Sequence, residues 1–167
     1  RVRRGNYTGL AAGLGASAAL AATALLVRRS AQQAEERHPP LGQFVTVNGT
    51  RLHYLEYGQG EPVVLLHGNG TVAQDFVGSG LVDRLAGRHR VIAFDRPGFG
   101  YSDRPRLHVW GPEAQAELLL GTFASLGIEH PVIVAHSWGT LVALAMAIRE
   151  PQAVRGMLLV SGYYYPT

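Results

Sequence analysis

The sequence predicts an α/β fold in which helices cover both faces of a mostly parallel sheet. Three observations support this prediction. Short apolar runs such as "VVLL" and "VIAF" show no polar alternation, which is typical of strands buried on both faces. Segments with helical spacing separate these runs. Before them lies a β-rich stretch divided by Asn48-Gly49, so a hairpin is expected to precede the parallel part of the sheet.

The elements follow one another in a regular order along residues 43–167. After the hairpin, strands and helices alternate, and Gly87, Gly127 and Pro151 end the three helices. In chain order, the predicted hairpin strands are 44–47 and 51–57, the buried strands are 61–68, 90–95, 131–136 and 154–162, and the helices are 72–87, 111–128 and 139–151.

The amino-terminal part of the chain differs in composition from the rest. No charged residue lies between Leu10 and Val27, and a helix of this length spans roughly 27 Å. Residues 10–27 are therefore predicted to form a transmembrane or signal-anchor helix, between a basic flank at 1–9 and a polar linker at 28–42. The expected location is a bacterial inner membrane, with this helix as a single-pass anchor. The alternatives are a signal peptide that is cleaved before secretion or release into the periplasm, and an Ala-rich helix outside the membrane.

The composition excludes several classes of function. The chain has no cysteine, which rules out a disulfide framework, a thiolate metal site and a cysteine nucleophile. The formal net charge is +3, and the arginines that supply the positive charge are not gathered on one predicted face. We therefore expect no nucleic-acid partner, and we predict neither a metal ion nor another cofactor.

Ser137 lies where a buried strand gives way to a helix, in the stretch "VAHSWGT". A serine at such a tight turn has a strained backbone and presents its Oγ above the sheet. Only small residues fit two places to either side, and here Ala135 and Gly139 occupy those places. The tight turn and its small neighbours predict that Ser137 is a nucleophile. The amino end of the following helix supports this prediction, because it favours a negatively charged intermediate. The alternative is a serine that only caps the helix.

The stretch "HGNG", residues 67–70, follows the first buried strand and has the pattern of an oxyanion loop. In this interpretation the backbone N–H groups of Asn69 and Trp138 bind the oxyanion. His67 is expected to hold the loop in place, and His136 is expected to be a packed supporting residue, so neither histidine is the predicted general base. The residues with a predicted supporting role are His67, Gly68, Gly70, His136, Gly139 and Asp95.

Three motifs in this order, "LLHGNG", "DRPGFGYSDRP" and "VAHSWGT", resemble those of the α/β-hydrolase superfamily. The resemblance covers residues 43–165. It is closest to the branch that contains epoxide hydrolases, haloalkane dehalogenases, cofactor-free haloperoxidases, esterases and carbon–carbon bond hydrolases. It implies the α/β-hydrolase fold and, for Asp95, a role in fixing its loop.

Ser137 marks the point at which this chain departs from part of that branch. Asn69 and Trp138 resemble the halide-binding pair of haloalkane dehalogenases, but those enzymes and the epoxide hydrolases carry an aspartate at the position of Ser137. A serine hydroxyl needs a base and suits acyl transfer. The resemblance therefore implies a serine hydrolase that acts on an ester or a similar small-molecule acyl substrate, and not a dehalogenase.

The acid and the base of the catalytic triad are expected beyond Thr167. In the family they follow the serine, first the acid and then the histidine. After Ser137 the chain contains no histidine, and its one acid, Glu150, lies roughly 20 Å away along the helix. The chain is thus expected to stop after the sixth strand and to be the amino-terminal half of a membrane-anchored enzyme. The alternatives are an incomplete, inactive chain, a binding protein without catalysis, and a perhydrolase that uses the same triad.

Overall fold

The computed structural model describes residues 7–162 and 164, and the chain divides into two units at Pro40. The first unit, residues 1–40, contains helix α1, Tyr7–Arg37. Every side chain described in this helix is exposed. The helix continues beyond Val27 through most of the segment that the sequence predicts to be a linker.

The predicted membrane anchor is not supported. Among residues 7–162 and 164, no helix combines the length and the apolar composition that crossing a bilayer requires. Alanine and glycine fill much of the uncharged stretch from Leu10 to Val27, so the stretch has the length of a spanning helix but only modest hydrophobicity. Membrane anchoring and the location that depends on it stay predictions from the sequence.

The second unit, residues 41–167, is built on a six-stranded sheet. Its strands are β1 Gln43–Val47, β2 Thr50–Tyr57, β3 Glu61–Leu66, β4 His89–Phe94, β5 Val132–His136 and β6 Gly156–Val160. They lie in the order β1-β2-β4-β3-β5-β6. The pairs β1–β2 and β2–β4 are antiparallel, and the pairs β4–β3, β3–β5 and β5–β6 are parallel. The predicted hairpin and the mostly parallel sheet are confirmed.

The hairpin turns at the dipeptide that predicted it. Asn48 has φ +49° and Gly49 has φ +74°, so both central residues are left-handed, and the strands pair from Val47 and Thr50 outward. Two left-handed residues give the turn a twist that matches the twist of the flanking strands. Asparagine and glycine tolerate this conformation better than other residues.

In the described part of the second unit, four α-helices cover the sheet. They are α2 Ala73–Gly78, α3 Leu81–Ala86, α4 Pro112–Leu126 and α5 Gly139–Arg149, and a short 3-10 turn follows at Pro151–Ala153. The prediction of one continuous helix over 72–87 is wrong. The chain breaks between α2 and α3 because Gly80 has φ +73°, a left-handed conformation that a continuous α-helix does not contain.

The buried side chains form two cores, one on each face of the sheet. In β3, Val64 and Leu66 join the core beneath α4 and α5, whereas Val63 and Leu65 join the core beneath α2 and α3. This alternation follows from the two-residue period of a strand. Helices therefore cover both faces of the sheet, as the uninterrupted apolar runs predict.

Candidate active site

Three loops meet at the carboxyl ends of β3, β4 and β5, where parallel sheets place their ligand sites. The loop after β3 touches the loop after β5 at Gly68, where an added Cβ would lie 2.8 Å from the Cβ of Ser137. The loop after β4 joins them through Arg96, whose backbone N–H donates to Nε2 of His67 at 3.0 Å. The structure thus brings the three predicted motifs together.

Ser137 has φ +51°, which is a strained backbone conformation for a residue other than glycine. Three hydrogen bonds hold it there. Its N–H donates to the carbonyl of Val160 at 2.8 Å, and its own carbonyl accepts from the N–H and the hydroxyl of Thr140, at 3.0 and 2.6 Å. Its Oγ lies 3.3 Å from the position that a Cβ on Gly68 would take, so the serine hydroxyl borders the loop after β3.

Small residues on either side of Ser137 allow α5 to start directly against the sheet. A Cβ on Gly139 would lie 2.6 Å from the carbonyl oxygens of Leu66 and His67. Ala135 is fully buried and pairs with Leu66 across the sheet. A larger side chain at position 139 would therefore move α5 away from β3 and open the turn that carries the serine.

Two backbone N–H groups are available at this turn. Among the hydrogen bonds of residues 7–162 and 164, none uses the N–H of Asn69 or Trp138 as donor. Trp138 immediately precedes α5, so its N–H lies at the positive end of the helix dipole. Unused N–H groups beside a strained serine match the requirement of an oxyanion hole, in which fixed donors meet a developing negative charge.

His67 is fully buried and uses both ring nitrogens within the scaffold. Its Nδ1 donates to the carbonyl of Gly68 at 2.7 Å, and its Nε2 accepts the N–H of Arg96. Burial, with a smaller contribution from the Arg96 charge, lowers the pKa of His67 to about 4, although the hydrogen bond to Gly68 acts to raise it. A neutral imidazole with no free nitrogen cannot take a proton from Ser137, so this geometry suits a residue that holds the loop.

His136 is exposed, which corrects the expectation that it is packed. It is the last residue of β5, and its Nδ1 lies 3.2 Å from the position that a Cβ on Gly68 would take. In the described part of the chain no hydrogen bond joins Oγ of Ser137 to a histidine; the ring bonds of His53, His67 and His130 go to other partners. The described residues therefore supply a candidate nucleophile and candidate oxyanion donors, without a general base.

Arg96 is absent from the predicted site residues, although it is fully buried beneath the site. Its Nε donates to the carbonyl of His67 at 2.8 Å, and its Nη2 donates at 2.9 Å to the carbonyl of Gly68 and to Oδ1 of Asn69. The guanidinium lies 4.6 Å from the ring of Trp138. The sequence shows an arginine directly after a buried strand, but nothing in the pattern distinguishes it from a solvated loop residue.

Asp95 connects three parts of the second unit. One oxygen accepts Nδ1–H of His53 at 2.8 Å and the N–H of Tyr101 at 3.1 Å, and the other accepts the N–H of Ala73 at 2.8 Å. Burial acts to raise the pKa of Asp95, but these hydrogen bonds outweigh it and hold the pKa below its usual value. Gly100 leaves room for this carboxylate, since a Cβ there would lie 1.9 Å from its Oδ2.

The described residues show no metal centre. Within residues 7–162 and 164, no group of three or more histidine, aspartate or glutamate side chains is placed to hold a metal ion.

Comparison with known proteins gives a family match and named relatives. The family model described as alpha/beta hydrolase fold matches residues 61–166. The 2-hydroxymuconate semialdehyde hydrolase of Pseudomonas putida is 35% identical over 127 residues, which are 76% of this chain and 45% of that protein. Haloalkane dehalogenase 2 of Mycobacterium bovis is 30% identical over 116 residues, which are 70% of this chain and 40% of that protein.

Solved structures share the fold. The epoxide hydrolase of Bacillus megaterium, solved in complex with an inhibitor, superposes with a TM-score of 0.67 at 27% sequence identity. The match covers 72% of this chain and 42% of that one. This chain spans a little under half the length of the curated relatives that it matches.

Proposed function

The chain belongs to the α/β-hydrolase fold family, and from that premise we propose that the protein is a serine hydrolase of acyl substrates. Ser137 attacks the acyl carbon of an ester or a similar compound. The backbone N–H groups of Asn69 and Trp138 stabilise the oxyanion that forms. The observation that carries this proposal is the strained Ser137, at φ +51°, beside two N–H groups that have no acceptor among the described residues.

The family alone does not select the reaction. The relatives include proteins named as a semialdehyde hydrolase, a haloalkane dehalogenase and an epoxide hydrolase. The serine is what favours acyl transfer, because a hydroxyl activated by a base forms an acyl-enzyme that water then opens. A tetrahedral intermediate places a negative oxygen where the two N–H groups can bind it.

The general base and its acid partner lie outside these 167 residues in this proposal. His67 has both nitrogens occupied, and no described histidine is bonded to Ser137. Without its base a serine nucleophile loses several orders of magnitude in rate. The 167-residue chain by itself is therefore expected to be close to inactive.

A fluorophosphonate probe tests this proposal, because it forms a covalent bond only with an activated serine. The full-length protein that the gene encodes, which contains these 167 residues, should be labelled by the probe. The substitution Ser137→Ala in that protein should abolish labelling. Ser125→Ala is a matched control, since Ser125 is an exposed residue of α4 and should be labelled like the wild type. Absence of labelling in the longer protein, or labelling that survives Ser137→Ala, would contradict the proposal.

A further inference from the structure

A cavity of about 230 Å³ lies beside the turn that carries Ser137. Both tryptophans of the chain, Trp110 and Trp138, line it, together with Asn69, Phe99 and Gln115. Ser137 itself is not part of the lining, although Trp138 follows it directly in the chain. The cavity therefore adjoins the candidate nucleophile and can hold a different part of a bound molecule.

Two charged residues line this cavity, and both are positively charged. Arg96 and Arg104 contribute to the lining, and no acidic residue does. Arg104 is exposed, and its side chain packs over Gly98, where a Cβ would lie 2.6 Å from its Cδ. In the described part of the chain neither arginine forms an ion pair with a carboxylate.

Neutral groups satisfy the guanidinium of Arg96 without compensating its charge. Four of its five N–H donors are used, by two carbonyl oxygens and by the side-chain oxygens of Asn69 and Gln115. Burial lowers the pKa of Arg96 to about 10, so the group stays charged at neutral pH. A buried charge without a counter-ion is costly, and the dipoles around Arg96 leave its positive charge to act on the cavity above it.

We infer that this cavity binds an anionic group, a carboxylate that the substrate carries beside its reacting acyl carbon. The exposed guanidinium of Arg104 makes the direct contact, because it is the cation that solvent reaches. Arg96 supplies positive charge from the floor of the cavity, and the two tryptophan rings provide flat walls for the carbon chain. Only the statement that the carboxylate belongs to a substrate rests on the proposed function; binding itself requires no catalysis.

Intrinsic fluorescence of the 167-residue chain tests this inference, because both of its tryptophans line the cavity. Butyrate and butyramide are the probes, since they match in size and differ in charge. At constant ionic strength, butyrate should change the fluorescence with a dissociation constant in the millimolar range, about tenfold tighter than butyramide. Arg104→Gln should weaken butyrate binding by about fivefold, because it removes the exposed charge.

Arg106→Gln is the matched control. Arg106 is also exposed and lies two residues away, but it does not line the cavity, so this variant should bind butyrate like the wild type. Equal binding of butyrate and butyramide, or equal effects of the two arginine substitutions, would overturn the inference. Failure of butyrate to bind while Ser137 is labelled would overturn the anion site alone. Binding of butyrate together with absence of labelling in the longer protein would support the anion site and refute the serine hydrolase.

Discussion

His67 and His136 show how strongly the surroundings of a residue decide what it can do. His67 is buried with both nitrogens bonded, whereas His136, one residue before the candidate nucleophile, is exposed at the end of β5. The first must stay neutral to accept the N–H of Arg96. A proton on His67 would break this bond between the loops after β3 and β4, so the neutral imidazole stabilises the site.

The stability of the second unit should therefore depend on pH through His67. The unfolded chain binds a proton at this histidine near pH 6.5, whereas the folded chain does so only near pH 4. Between these values the unfolded state holds more protons, so the contribution is complete above pH 6.5 and is lost as the pH falls toward 4. The loss should be on the order of 3 kcal/mol.

Urea unfolding at pH 7.5 and pH 4.5 measures this dependence. His67→Gln removes the titrating group, so the variant should lose less free energy of unfolding than the wild type between the two pH values. A parallel loss in wild type and variant would mean that other groups cause the pH dependence.

At the residue scale, the sequence predicts which chain positions form the candidate site better than it predicts how buried their side chains are. The sequence identifies Ser137, Gly139 and the loop 67–70 as candidate site residues because a nucleophile turn requires small residues at fixed spacing. It does not identify Arg96, because the burial of this residue depends on α4 and on loops distant in sequence. Strand alternation does not predict the exposure of His136, because it indicates a side of the sheet but not whether anything covers that side.

At the element scale, the division between α2 and α3 is the main departure from the predicted pattern. Phe76, Leu81, Val82 and Leu85 have the spacing of one continuous helix, and they do pack on one core. The left-handed Gly80 breaks the helix between them. Hydrophobic spacing records which face is buried, but it does not record a one-residue reversal of φ. The buried strands, whose signal is an apolar run of definite length, were predicted to within about two residues.

Two glycines near this break should respond oppositely to alanine. Gly80→Ala should destabilise the protein by about 1 kcal/mol, because alanine is strained at φ +73°. Gly78→Ala should stabilise it by about 0.5 kcal/mol, since Gly78 is helical and an added Cβ meets nothing within 4 Å. Chemical unfolding of both variants measures the difference. Equal changes in the free energy of unfolding would contradict the role assigned to Gly80.

At the scale of the whole molecule, both cores draw their residues from Val45 to Leu159. The sequence could predict a parallel sheet covered on both faces because the strands are uniformly apolar. It could not predict the strand order, because order depends on which crossovers connect the strands in space.

A chain that begins at Leu41 should therefore unfold at the same temperature as the 167-residue chain, to within about 2 °C. A chain that begins at Thr50 is the matched comparison, since it also lacks β1 and the buried Val45. It should unfold at a lower temperature, because β2 loses one of its two partner strands and one core loses a side chain. Thermal unfolding followed by circular dichroism measures both; equal destabilisation by the two truncations would show that residues 1–40 support the second unit.

The position of β3 in the sheet has a consequence for the order of events during synthesis. Its two neighbours, β4 and β5, both follow it in the chain, and Val63 pairs with Val132 on one side. While the ribosome adds the residues between these partners, one edge of an apolar strand stays open. The nascent chain thus carries one edge of this apolar strand unpaired until β5, the strand that leads into the serine turn, has been made. The nucleophile turn is held in place only after β6 has also been made, because the N–H of Ser137 donates to the carbonyl of Val160.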